Sequence, residues 1–277
     1  MSFIDRTSHI PKFGGEIWYV SKSGNDSNSG TRPDQAKLTI KATVTASSAG
    51  DAISVKAGTY DEVDLVIAND GTELWCEIGT LVNNTDSGGG TCIQITGNSC
   101  KVLGLKVSQA GQIGFDIDGA GCFLDHCIAE DCTIAFDIDG CCSILQFCQD
   151  VNATTTGYDI ASAENLLFHC STIASGGASR GFYLSNAAAD ENLIYQCLST
   201  GNATAGYEVV AGASYNVFAF CTSGGGESGT RIDLGTKTQW AGCEFTLPRE
   251  HHENVYPKAD GIGGTQAPIT VTDLAGS

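Results

Sequence analysis

Between residues 115 and 243, apolar and polar positions recur in two short alternating blocks. The first block reads FDIDG from Phe115, FDIDG from Phe136, YDIAS from Tyr158, FYLSN from Phe182, YEVVA from Tyr207 and RIDLG from Arg231. The second ends on cysteine: FLDHC at Cys127, ILQFC at Cys148, LLFHC at Cys170, LIYQC at Cys197, VFAFC at Cys221 and QWAGC at Cys243. Successive first blocks start 21, 22, 24, 25 and 24 residues apart. A repeat of that length in a non-helical sequence predicts a stacked solenoid of short strands.

Period-two alternation gives each strand one inward face. In the first strand the inward columns are Phe115, Phe136, Tyr158, Phe182 and Tyr207, then Ile117, Ile138, Ile160, Leu184 and Val209. In the second they are Val102, Leu124, Leu145, Leu167, Ile194, Phe218 and Trp240, then Leu105 followed by Cys127, Cys148, Cys170, Cys197, Cys221 and Cys243. Strands about 4.8 Å apart stack like on like. Cysteine then packs as a small apolar residue, and Asn165, Asn192 and Asn216 form a ladder that can bond rung to rung. Residues 64–91 lack this signature and read as irregular early turns.

The start of the chain reads differently. Ile17–Val20 is a predicted strand, the Gly/Asn/Asp/Ser run to Pro33 a loop, and Leu38 to about Ser47 a short amphipathic helix. Gly50-Asp51 is a turn and Ala52–Lys56 a strand. The motif YVS-x-x-GND-x-x-SGT, a short helix, then GD-x-I-x-V-x-x-GTY resembles the N-terminal cap and first rung of pectin-lyase-like β-helix proteins. Tyr19, Gly24, Asn25, Asp26, Ser29, Gly30, Gly50, Asp51, Gly58 and Tyr60 carry the likeness. It covers roughly residues 17–245.

The resemblance implies an all-β fold, a single-stranded right-handed parallel β-helix with a short N-terminal cap helix and an extended C-terminal tail. The expected divisions are an arm at 1–16, cap and first rung at 17–62, the β-helix at 63–245, and an interaction tail at 246–277. The family spans pectate lyases, polysaccharide hydrolases, phage tailspikes and non-enzymatic virion proteins, so it implies no single activity. Its phage members imply a homotrimer.

Charge and cysteine content narrow the partners. Of 277 residues, 32 are Asp or Glu and 14 Lys or Arg, a net charge of −18. Such a chain repels nucleic acid and anionic membranes. No segment is apolar enough for membrane insertion, and MSFIDRTSHIPKFGG has no secretory h-region. Thirteen cysteines, six of them one per repeat, read as stacked thiols in a reducing cytoplasm rather than a disulfide framework. No metal site or cofactor is expected.

The candidate chemistry lies on the outward positions of the first strand: Asp116, Asp118, Asp137, Asp139, Asp159, Glu208 and, by a shifted alignment, Asp233. A solvated acidic face is the simplest reading. A cation site is a second. A third follows from the resemblance, in which this face is the sugar groove of many enzymes: Asp116, Asp137 and Asp159 would be catalytic carboxylates. Asp125-His126 is similar to part of the Trp-Ile-Asp-His segment of pectate lyases, without the Trp and without a convincing companion Arg base. Asn83, Asn152 and Asn202 stand in N-x-T sequons. In the tail, His251-His252 read as a solvent-facing or interface pair, the apolar Val255, Tyr256, Ile262, Ile269 and Val271 are interface candidates, and Ile269–Val271 is expected as a final strand.

The function expected from these readings is a structural, non-enzymatic virion protein of a bacteriophage: a capsid decoration, fibre or spike. It would be assembled in the host cytoplasm and act through contacts with itself, other virion proteins and a host-surface glycan. The alternative is a β-helix that binds or cleaves polysaccharide through the acidic face.

Overall fold

The computed structural model describes residues 15–84, 90–174, 179–224 and 231–245. His251, His252 and the tail candidates Val255, Tyr256, Ile262, Ile269 and Val271 lie outside the described residues.

The chain winds as a right-handed parallel β-solenoid with three walls. The walls hold eight, ten and nine described strands, every pairing parallel and between successive turns. Wall I contains the first-block strands, such as Ile113–Ile117 and Ile134–Ile138. Wall II contains the second-block strands, such as Phe123–Asp125 and Ile144–Gln146. Wall III contains a strand unforeseen in the sequence, such as Ile128–Glu130 and Gln149–Val151. Of the irregular stretch expected at 64–91, residues 64–84 instead form a regular turn, with strands Leu65–Ile67, Glu73–Cys76 and Thr80–Asn83. Leu65 and Ile67 fill the inward columns there in place of the aromatic signature.

The core is a set of vertical stacks. Phe115, Phe136, Tyr158, Phe182 and Tyr207 are fully buried, their rings stacked at 5.0, 4.7, 4.7 and 5.2 Å with planes within 8°. Tyr158 and Tyr207 spend their buried hydroxyls on the Cys148 and Cys197 carbonyls, each at 2.8 Å. Each ladder cysteine directs its thiol to a carbonyl of the preceding turn at 3.2–3.6 Å. Asparagine oxygens bridge the turns: Asn165 accepts from Ser143 N, Asn192 from Asn165 N and Asn216 from Asn192 N, at 2.8–2.9 Å.

Corners turn through one left-handed residue per rung. Between walls II and III these are Gly104, His126, Phe147, His169, Gln196, Phe220 and Gly242, with φ from 51° to 72°. That conformation directs their side chains away from the core, which is why Phe147 and Phe220 are exposed.

The helix Ile40–Ala46 closes the amino-terminal end. Thr39 caps it through Ala42 N, and the Glu62 carboxylate accepts from Ile40 N and Lys41 N at 2.5 and 2.7 Å. Ile40 and Val44 then join the core. Motif residue Asp26 accepts from Leu38 N and Thr39 N, and Asp51 from Glu16 N, Ser48 N and Trp18 Nε1. A Cβ at Gly24 would lie 2.4 Å from the Lys37 carbonyl, so only glycine fits there.

Candidate functional site

Register places Gln94, Asp116, Asp137, Asp159, Tyr183 and Glu208 in one outward column along wall I. Three of the sequence-derived carboxylates therefore stand on consecutive turns, about 4.8 Å apart along the axis. Asp116, Asp137 and Asp159 are half-buried, while Asp118 and Asp139, two residues further on, are exposed. The flanking residues Thr91 and Gln94 reach this cluster, Thr91 Oγ1 to Asp116 at 3.4 Å and Gln94 Nε2 to Asp118 at 2.9 Å.

Crowding like charges on a partly desolvated wall disfavours ionisation. Burial first, then the charges of Asp118 and Asp139, pushes Asp116 up to about 6. Burial, then Asp159, Asp139, Asp116 and Asp118, pushes Asp137 up to about 7. Burial also raises Asp159, against a Ser185 hydrogen bond and the Arg180 charge, which lower it. Asp159 Oδ1 is buried and has no hydrogen-bond partner. At neutral pH the column thus mixes protonated and ionised carboxyls, able to donate and accept hydrogen bonds or carry a proton.

The upper end of the column differs from the sequence reading. Glu208 is not a free acid: Arg180 Nε donates to its Oε2 at 2.6 Å. The Arg180 guanidinium also lies 4.8 Å from the Tyr183 ring centroid. An arginine therefore does stand beside the acidic face. The sequence signal was its place two residues before Phe182, the position held by Ile113, Ile134 and Thr156 in earlier turns. Asp233 is a correction. It pairs opposite Val209, in the inward aliphatic column, and accepts from Trp240 Nε1 at 2.9 Å.

Asp125 and His126 touch each other through Oδ1 and Nδ1, but they sit on wall II and its corner, a different wall from the acidic column. The outward column of wall II is apolar from Phe123 through Ile144, Leu166 and Leu193 to Val217, between Lys101 in the turn before and Gln239 in the turn after. Beside it Phe168 and Tyr195 stack at 5.5 Å, and His126, Phe147 and His169 stack at 4.9 and 5.3 Å along the corner.

Wall III carries a buried acid. Its inward column runs Val107, Ala129, Asp150, Thr172, Ser199 and Ser223. Asp150 is 0% exposed; Oδ1 accepts from Ala153 N at 3.0 Å and Oδ2 has no partner. Burial pushes it up to about 7. Asn202 is likewise fully buried, donating to Thr172 and Ser199, so this sequon is inaccessible in the fold.

Among the described residues, no three His, Cys, Asp or Glu side chains come together as a metal-binding set. No helix among them is long and apolar enough to cross a membrane.

No protein-family model matches the chain, and no curated protein matches its sequence. Solved structures do resemble it. Pectate lyase Pel9A superposes with a TM-score of 0.54 at 13% identity, over 87% of this chain and 79% of that one. The pectin methylesterase of Aspergillus niger superposes with a TM-score of 0.56 at 11% identity, over 84% and 86%. These likenesses show the parallel β-helix fold alone.

Proposed function

We propose that this protein binds a neutral polysaccharide along the outer surface of wall I. The observation that carries the reading is the continuous column Asp116, Asp137, Asp159 and Tyr183, in which Asp116 and Asp137 change protonation near neutral pH and burial raises Asp159 in the same direction. Such carboxyls match glycan hydroxyls, which also both donate and accept. Tyr183, with the Arg180 guanidinium over its ring, and the Arg180–Glu208 pair close the end of the run. Two structural neighbours are named for pectin-directed activities, which supports a glycan on this fold without specifying the site.

Charge selects among glycans. A surface of net charge −18 repels a polyuronate, and no metal-binding set among the described residues offsets that repulsion. A neutral chain meets no such barrier. Affinity electrophoresis through gels containing neutral polysaccharides or polyuronates tests the proposal. Retardation is expected in at least one neutral gel, lost in the Asp116→Asn, Asp137→Asn double variant, and absent in polyuronate. Retardation that survives the double variant refutes the assignment to wall I. Reducing-end release by the wild type would extend the role of these carboxyls to acid–base cleavage.

A second reading, a structural virion protein of a bacteriophage that assembles as a homotrimer, is favoured by the apolar outward column of wall II. Five stacked apolar residues on an outer wall of so acidic a chain suit contact with further copies or with other particle proteins.

A further inference from the structure

All thirteen cysteines are free thiols, and most are sealed in the core. Cys141 and Cys142 are different. Cys142 is exposed, Cys141 is half-buried, and their sulfurs are 3.3 Å apart. They occupy the corner between walls I and II, just after the strand Ile134–Ile138. Cys142 takes the left-handed conformation of that corner, with φ 62°. Its N–H donates to the Ala163 carbonyl at 3.1 Å, while the Cys141 carbonyl accepts from Gly121 N at 2.8 Å. Both residues are thus clamped to the turns on either side. Gly121, in the preceding turn, has no side chain to cover Cys142. Glu164, in the next, places Oε2 3.5 Å from the Cys142 sulfur.

We propose that Cys141 and Cys142 form a redox-active dithiol that closes reversibly by exchange with a low-molecular-weight disulfide of the glutathione class. Cys142, the exposed thiol, loses its proton to solvent and attacks one sulfur of the external disulfide, releasing one thiol. Cys141, 3.3 Å away, loses its proton and attacks the Cys142 sulfur of the mixed disulfide, expelling the second thiol. Two protein thiols lose two electrons, and one external disulfide becomes two thiols.

Contact with Cys141, and with the Glu164 carboxylate, pushes the Cys142 thiol up to about 11, so its first attack on an external disulfide is slow at neutral pH. Adjacent Cα atoms lie about 3.8 Å apart, under the usual ~4.4–6.8 Å span of a disulfide, which suits a bond that reopens easily rather than a staple. The other close thiols, Cys92 with Cys132, Cys100 with Cys122 and the ladder from Cys127 to Cys221, are buried beyond reach of an external disulfide, and the half-buried Cys243 at the ladder's end has the buried Cys221 as its neighbour.

The test is to expose the native full chain to oxidised glutathione and map the products by peptide mass spectrometry. The wild type should lose two hydrogens at the 141–142 peptide, keep no glutathione, and revert with dithiothreitol. Cys141→Ser, checked for fold by circular dichroism, should instead retain glutathione on Cys142. Phenylarsine oxide, which needs two neighbouring thiols, should bind the wild type and not that variant. Stable glutathione on wild-type Cys142, oxidation at the core ladder, or arsenical binding without any disulfide would each overturn the proposal.

Discussion

At the scale of single residues, the account rests on which side chains the walls turn inward. Phe136 lies between Phe115 and Tyr158 and is fully buried. Phe136→Ala should cost ~3–5 kcal/mol as a large-to-small core change, read from the denaturant midpoint. A loss under about 1 kcal/mol would contradict the inward register, because a one-residue slip reverses every side chain. Asp150 gives the opposite kind of test. Its carboxyl titrates at about 7 when folded, against ~3.9 in an unfolded chain. Between those values the folded chain keeps a proton that the unfolded chain has lost, so stability falls as pH rises from about 4 through 7. Asp116 and Asp137 act in the same direction. Melting temperature should therefore be lower at pH 8 than at pH 5, and Asp150→Asn, which keeps an oxygen for Ala153 N, should shrink the drop. An unchanged drop in the variant would remove Asp150 from the explanation. The aromatic, aliphatic and acidic columns were legible because each recurs with an identical offset. Asp150 was not, because it appears once, in a column that changes from valine to serine along the axis.

At the scale of elements, legibility followed the number of inward residues per strand. Wall I strands carry an aromatic and an aliphatic inward residue two apart, enough to see the alternation. Within the repeat, wall III strands such as Ile128–Glu130, Gln149–Val151 and Ser171–Ile173 are three residues long with one inward position, so alternation has nothing to repeat. Wall II hid a different fact. Pairs such as Phe123-Leu124, Leu166-Leu167 and Leu193-Ile194 are apolar on both faces, and a continuous apolar run reads only as burial. The structure separates them: Leu124, Leu167 and Ile194 are fully buried, while Phe123, Leu166 and Leu193 face outward. If that outer column joins copies of the chain, Leu166→Glu with Leu193→Glu should reduce the particle mass in light scattering to that of one chain. A wild type that already scatters as a single chain would contradict self-association through wall II.

At the scale of the whole molecule, the solenoid separates its chemistries by wall: acidic on I, apolar on II, and polar inside III. The excess of acid was plain in the composition. Its concentration into a column of half-buried carboxyls was readable from the repeat, whereas Arg180 was not singled out because it interrupts a column otherwise filled by Thr, Ile and Ala. The central claim is that Asp116, Asp137 and Asp159 form a glycan-binding column in which Asp116 and Asp137 titrate near neutral pH. The most direct measurement is a pH titration of the carboxyl carbons by 13C NMR, with and without a neutral oligosaccharide retained in the electrophoresis test. The account predicts that Asp137 titrates near 7 and Asp116 near 6 in the free protein, and that their resonances move on binding while that of Asp150 inside wall III does not. Carboxyls on wall I that titrate as ordinary exposed aspartates, with resonances unmoved by the glycan, would contradict it.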